Sequence, residues 1–149
     1  MSQRITLIHA TSLSIEPVKF AFAAGWPGAE LVPLLDDSLS RDRAKTDELA
    51  DDIYGRFGIL GDYAASIASD AILFTCSAFG RAIERVQARL DIPVLKPNEA
   101  MLEAGLESGT RIGLVSTFPA TIDSMSEELS EMAKDRGVEL ALHTRLAAG

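Results

Sequence analysis

Short apolar runs alternate along the whole chain with longer polar or amphipathic stretches, and this alternation narrows the possible folds more than any other feature. The runs fall at residues 4–10 (RITLIHA), 30–35 (ELVPLL), 70–75 (DAILFT), 92–95 (IPVL), 111–116 (RIGLVS) and 138–142 (VELAL). Each is too short for a helix, and such continuous Ile, Leu and Val character suits strands buried on both faces. Helices are expected between them. One spans 16–24, with Pro17 in its first turn and Gly25 and Pro27 as its stop; another follows Gly80 and carries Ile83, Val86 and Leu90 on one stripe. Two more span 98–106 and 119–136, the last ending at Gly137. The stretch 41–69, with Leu49, Ile53 and Ile67 as apolar positions, is expected to be helical and broken near Gly55, Gly58 or Gly61.

Strands alternating with helices of this length form βαβ units with right-handed crossovers, so the expected fold class is α/β, a mainly parallel sheet flanked by helices. A chain of 149 residues, 47% of them hydrophobic, can bury a real core, and one compact domain is the default. No sequence repeat, low-complexity segment or linker stands out.

Twenty-two acidic against fourteen basic residues give a formal charge of −8, which repels phosphate backbones and anionic lipid. Nucleic acid and membrane are therefore not expected partners. No apolar run approaches the roughly 20 residues needed to cross a bilayer, and residues 1–4 lead straight into a strand-like run, so a cytoplasmic protein is expected. One cysteine and two histidines offer neither an internal disulfide nor the spacing of a zinc site, and neither metal nor cofactor is expected.

In open α/β sheets ligands bind beyond the carboxyl ends of the strands. The segments to inspect are residues 9–12, Asp36 with Asp37, residues 75–77, 96–98 and 116–118. Three of them offer hydroxyls or a thiol: Thr11 and Ser12; Thr75, Cys76 and Ser77; Ser116 and Thr117. Hydroxyls and backbone N–H groups near helix starts suit a carboxylate or another small oxyanion. The bland reading of each Ser or Thr is N-capping, worth about 1 kcal/mol; their convergence on one sheet edge favours a pocket around residues 75–77. Cys76 balances a buried small hydrophobe against a working thiol at a helix start, a setting in which cysteines ionise more readily.

The segment ILFTCSAFGRAIE, preceded by a strand ending HATS and followed by RIGLVSTFPATIDS, resembles the first half of the aspartate/glutamate/hydantoin racemase superfamily. The resemblance implies a first lobe at residues 1–110 and part of a second at 111–149. In that family two similar lobes enclose the substrate and each presents a cysteine to the α-carbon; Cys76 matches the first-lobe cysteine. By resemblance, Ser12, Thr75, Ser77 and Thr117 would bind the substrate and supply hydrogen-bond donors to a dianionic enolate, with Thr121 as an additional hydroxyl. The chain stops at Gly149, before the second cysteine of the pattern. Relatives decarboxylate aryl-substituted malonates with a second-lobe cysteine, a poor match to Cys76, or isomerise maleate through a cysteine adduct.

The resemblance thus implies cofactor-independent isomerase chemistry on a small carboxylate or hydantoin-like substrate, with Cys76 as base or nucleophile. The competing expectation is a lobe of that fold that binds a small carboxylate or a partner surface without turnover. An incomplete second lobe would leave a sheet edge and apolar surface uncovered, so a homo-oligomer is expected.

The remaining polar residues have structural readings. His9, alone at a strand end, reads as a hydrogen-bonded structural group, and His143 as uninformative. Asp36 and Asp37 read as loop and cap residues, since neighbours on an extended chain point to opposite faces. Gly55, Gly58 and Gly61 do not lie between a strand and a helix as a phosphate loop requires. The acidic groups Asp47, Glu48, Asp51 and Asp52, and Glu127, Glu128 and Glu131, read as solvated helix faces.

Overall fold

The computed structural model describes residues 2–46 and 48–147, so that Asp47 lies outside the described residues, as do Met1, Ala148 and Gly149. Among the described residues six strands and six helices follow one another, two helices in succession between β2 and β3: β1 (Arg4–His9), α1 (Ile15–Gly25), β2 (Glu30–Leu35), α2 (Ser38–Arg43), α3 (Asp51–Ser66), β3 (Ala71–Phe74), α4 (Gly80–Gln87), β4 (Val94–Leu95), α5 (Glu99–Ser108), β5 (Arg111–Ser116), α6 (Pro119–Asp135) and β6 (Ala141–Leu146). All strand pairings are parallel, in two sheets of order β2-β1-β3-β4 and β5-β6. The α/β architecture with helix-flanked parallel sheets is the one the alternating pattern called for. The chain forms two compact units. The first runs to Cys76 and includes Arg81–Pro97; the second comprises Ser77–Gly80 and the chain from Asn98 onward. α5 falls in the second unit.

In the first unit β1 is bonded on both edges, to β2 over six residue pairs and to β3 over four. Every residue from Ile5 to Ala10 is buried. Phe57 of α3 stacks on Phe74 of β3 with ring centroids 5.0 Å apart, beside Ile72, Ile83 and Val86. Each such side chain contributes about 1.5–3 kcal/mol through burial. The amino end of the sheet is tied by polar contacts: Asp70 accepts from the Arg4 backbone N–H at 2.7 Å, Arg4 pairs with Glu30 at 2.9 Å, and the Thr6 and Ser69 hydroxyls meet at 2.6 Å in the interior.

The second unit has its own core of Leu102, Leu106, Leu114, Met125, Leu129 and Ala133, with Ile112 and Leu142 packed against it. Within β5, Ile112 and Leu114 turn inward while Arg111, Gly113 and Val115 are exposed, the period-2 pattern of a strand covered on one face. No helix among the described residues is long and apolar enough to cross a membrane.

Three sequence expectations need correction. α3 runs unbroken through Gly55, Gly58 and Gly61; the helical stretch is instead divided before it, α2 ending at Arg43 and α3 starting at Asp51. Each glycine costs the helix about 1 kcal/mol relative to alanine, but Gly61 permits close packing, since a Cβ there would lie 2.7 Å from Val86 Cγ1 of α4. The last strand starts at Ala141, not at Val138. The Val138 N–H caps α6 on Ala133 O at 3.0 Å while Gly137, at φ +67°, bonds Lys134 O, so the ladder begins only where Ala141 N reaches Thr110 O. Finally, Glu128 is buried, because it shares the inner stripe of α6 with Thr121 and Met125.

The same two-bond cap ends α3. Ser69 N bonds Ala64 O and Ala68 N bonds Ala65 O, which forces Ala68 to φ +58°. A Cβ in this left-handed region costs about 1–2 kcal/mol. Ala68→Gly is therefore expected to stabilise the protein by about 1 kcal/mol after its greater unfolded-state entropy is counted, read as a raised midpoint in urea; an unchanged or lowered midpoint refutes this account of the cap.

Candidate functional site

Because β1 to β4 are parallel, their carboxyl ends share one edge of the first sheet and bring His9, Asp36, Thr75 and Lys96 to it. His9 is fully buried at the end of β1. Its Nδ1 lies 2.8 Å from Ser14 Oγ and 2.8 Å from Thr75 Oγ1, and the two hydroxyls are 3.0 Å apart. Ser14 Oγ also donates to Thr11 O at 3.0 Å, and Thr75 Oγ1 has Ile8 O at 3.3 Å. His9 Nε2 is buried without a hydrogen-bond partner among the described residues. Burial, and secondarily the Lys19 charge, holds the imidazole pKa below its ordinary value of 6.5 and keeps the ring neutral at neutral pH.

Thr75 N donates to Ile8 O at 3.0 Å, the last rung between β1 and β3, so Cys76 is the first residue beyond the ladder. The thiol-bearing residue is half-buried. Of the hydroxyls expected around it, Thr75 is turned inward and engaged with His9, Ser14 and Ile8 O. Ser12 is exposed at the head of a short 3₁₀ turn, Ser12–Ser14. Thr11 caps that turn by accepting from Leu13 N at 3.4 Å, the bland reading of a strand-end threonine.

The other expected hydroxyls belong to the second unit. Ser77 Oγ and Thr121 Oγ1 meet at 3.2 Å, and Thr121 is buried in the first turns of α6. One of the pair donates to the other, which leaves one hydroxyl proton uncommitted. Gly80 N donates to Ser124 Oγ at 3.2 Å, so α6 holds the turn Ser77–Phe79 at two points. Thr117 is exposed and apart from this pair; its neighbour Ser116 bonds the backbone of Phe118 as a local turn.

Asp36, read as a loop and cap residue, accepts from both the backbone N–H and the hydroxyl of Ser38, at 3.2 and 2.6 Å. It also pairs with Arg56 at 2.6 Å, and Arg56 reaches Asp42 at 2.8 Å and Ser38, joining α2 to α3. Burial alone would raise the Asp36 pKa; the Ser38 hydroxyl and the Arg56 guanidinium outweigh it and hold the carboxyl below 3.8. At the end of β4, Lys96 is largely buried and pairs with Glu84 at 3.2 Å, which also pairs with Arg81 at 3.0 Å. Among the described residues no cluster of three or more His, Cys, Asp or Glu could hold a metal ion.

Sequence reasoning missed Ser14 and Ser124. Ser14 follows His9 by five residues within a turn-forming segment, a usable signal once His9 is known to be buried. Ser124 lies one helical turn beyond Thr121 on α6, the spacing that places two side chains on one face.

A sequence model of the family described as Asp/Glu/Hydantoin racemase matches residues 33–146, and the chain belongs to that family. No curated protein matches the sequence significantly. Among solved structures, glutamate racemase from Aquifex pyrophilus superposes with a TM-score of 0.74 at 18% identity, over 95% of this chain and 55% of that one. Glutamate racemase from Francisella tularensis subsp. tularensis SCHU S4, in complex with D-glutamate, gives a TM-score of 0.72 at 17% identity, over 99% and 54%. A Gly-to-Cys mutant of arylmalonate decarboxylase in a sulfate-associated form gives 0.62 at 12% identity, over 98% and 64%. The chain thus spans a little over half the length of the two racemases.

The depressed Asp36 carboxyl contributes stability above the ordinary aspartate value of 3.8, and that contribution is lost as pH falls through the folded-state value. Asp36→Asn is expected to cost about 1–2 kcal/mol at pH 7, with the gap to wild type narrowing below pH 3.8. Urea denaturation of both proteins at pH 7 and pH 3 checks this, and a gap that is the same at both refutes it.

Proposed function

We propose that this chain works through Cys76 as a cofactor-independent base, its thiolate removing the α-proton of a small carboxylate or hydantoin-like substrate. The proton passes from the α-carbon to Sγ, and the electron pair stays behind as an enolate. Return of a proton to either face completes isomerisation or exchange. Such a carbon acid ionises reluctantly, so the site must position the base and meet the developing charge with hydrogen-bond donors.

The observation that carries this reading is the setting of Cys76: a half-buried thiol, first residue past the β1–β3 ladder, at the carboxyl edge of the sheet where open α/β folds bind their ligands. The exposed Ser12 hydroxyl is the donor of the first unit best disposed for a substrate oxygen. The Thr75 hydroxyl, already engaged inside the protein, supports the site from behind. That solved relatives of this fold include a glutamate racemase with D-glutamate supports an amino-acid carboxylate as the substrate class.

The test is α-proton exchange in D₂O, followed by NMR, across aspartate, glutamate, hydantoins and substituted malonates. Wild-type protein is expected to exchange at least one of them, and Cys76→Ala to lose about a hundredfold or more of that rate while retaining its circular dichroism. Exchange by Cys76→Ala at the wild-type rate removes Cys76 from the chemistry. No exchange by wild type on the whole panel sinks the catalytic reading.

A further inference from the structure

Thr75, one corner of a triangle with His9 and Ser14, immediately precedes Cys76 in the chain, and the proposed proton abstraction does not account for that triangle. An imidazole buried completely in a strand end is a costly occupant unless its polar atoms do something an aliphatic side chain could not. Here Nδ1 meets two hydroxyls at 2.8 Å each, one from the turn ahead of α1 and one from the last rung of β3. Three separate segments, the ends of β1 and β3 and the residue before α1, are joined at one nitrogen. Thr75 is thereby held twice, by its backbone N–H on Ile8 O and by its hydroxyl on His9. The next residue along the chain is Cys76.

The proton count assigns the ring. Ser14 Oγ–H has Thr11 O at 3.0 Å and Thr75 Oγ1–H has Ile8 O at 3.3 Å. The hydroxyls also lie 3.0 Å from each other, so their protons have several acceptors; the ring proton is placed on Nδ1, donating into the triangle, by the absence of a partner at Nε2 among the described residues. The opposite tautomer would leave a buried N–H unpartnered at Nε2, and orphaned buried donors are rarer than underused acceptors.

We propose that His9 is the positioning residue of the Cys76 site: through Nδ1 it locks the Thr75 hydroxyl and so fixes the orientation in which the thiol leaves the sheet. This rests on the reading of Cys76 as the reacting group. It assigns His9 no contact with substrate.

The single cysteine gives a direct readout, because alkylation by iodoacetamide followed by intact mass reports on Cys76 alone. A thiol held in one orientation has one environment and one pH midpoint for alkylation; a released thiol samples others. His9→Asn keeps an amide N–H near the Nδ1 position, whereas His9→Gln reaches toward Nε2 and His9→Phe has no polar atom. The expected result is a wild-type midpoint in His9→Asn and a shift of about half a pH unit or more in His9→Gln and His9→Phe. Lost stability alone would not move the midpoint of the folded protein. An unmoved midpoint in a folded His9→Phe, or a shift in His9→Asn as large as in His9→Phe, overturns the proposal. Should His9→Phe fail to fold, Thr75→Val, which deletes the hydroxyl that Nδ1 holds, must reproduce the shift, and an unmoved midpoint there is equally fatal. Wild-type exchange with an unmoved alkylation profile in these variants discards the positioning role and leaves the catalytic reading standing; a moved profile without any exchange does the reverse.

Discussion

The first unit depends on β1 being hydrogen-bonded on both edges. A central parallel strand has no solvent face, so its positions from Ile5 to Ala10 are buried and its polar side chains look for partners inside the protein. That requirement explains the pairing of Thr6 with Ser69 at one end and of His9 with Ser14 and Thr75 at the other. The same parallel arrangement aligns the carboxyl ends of four strands, which is why residues from four distant parts of the sequence come to one edge.

At that edge the polar residues divide by what they already hold. Thr11, Thr75, Ser14 and Asp36 are engaged in turns, networks and ion pairs of the first unit, and their geometry leaves them little to offer a ligand. Cys76 is the first residue beyond the last rung of the ladder, and Ser12 is exposed just past the cap. The interior hydroxyls and the outward-facing ones look alike in sequence, since strand register decides which is which and a shift of one residue exchanges the faces.

Much of the fold was legible because apolar periodicity follows directly from burial. Six runs became six strands, and α6 ends just before Gly137, the glycine expected to stop it. The glycines of α3 misled because a glycine is a helix breaker in isolation and a packing device against Val86 in the fold. Glu128 misled because nothing in its local sequence distinguishes the inner stripe of α6 from the outer. The start of β6 was misplaced by three residues because the cap of α6 uses the Val138 N–H before the ladder begins. In the candidate site, Cys76 was legible as a thiol just after a strand, and Ser77 with Thr121 are brought together within the second unit; Ser12 and Thr117 are each exposed.

The sequence by itself determined the alternation of strands and helices, the parallel sheets that follow from crossover connections, and the family, because these rest on local periodicity and short motifs. Only the tertiary structure decided that His9 carries two hydroxyls on one nitrogen, and that the Thr75 hydroxyl is engaged inside the first unit. Those outcomes depend on strand register and on contacts between residues more than sixty positions apart, such as His9 with Thr75, and no local pattern encodes a distance of that kind.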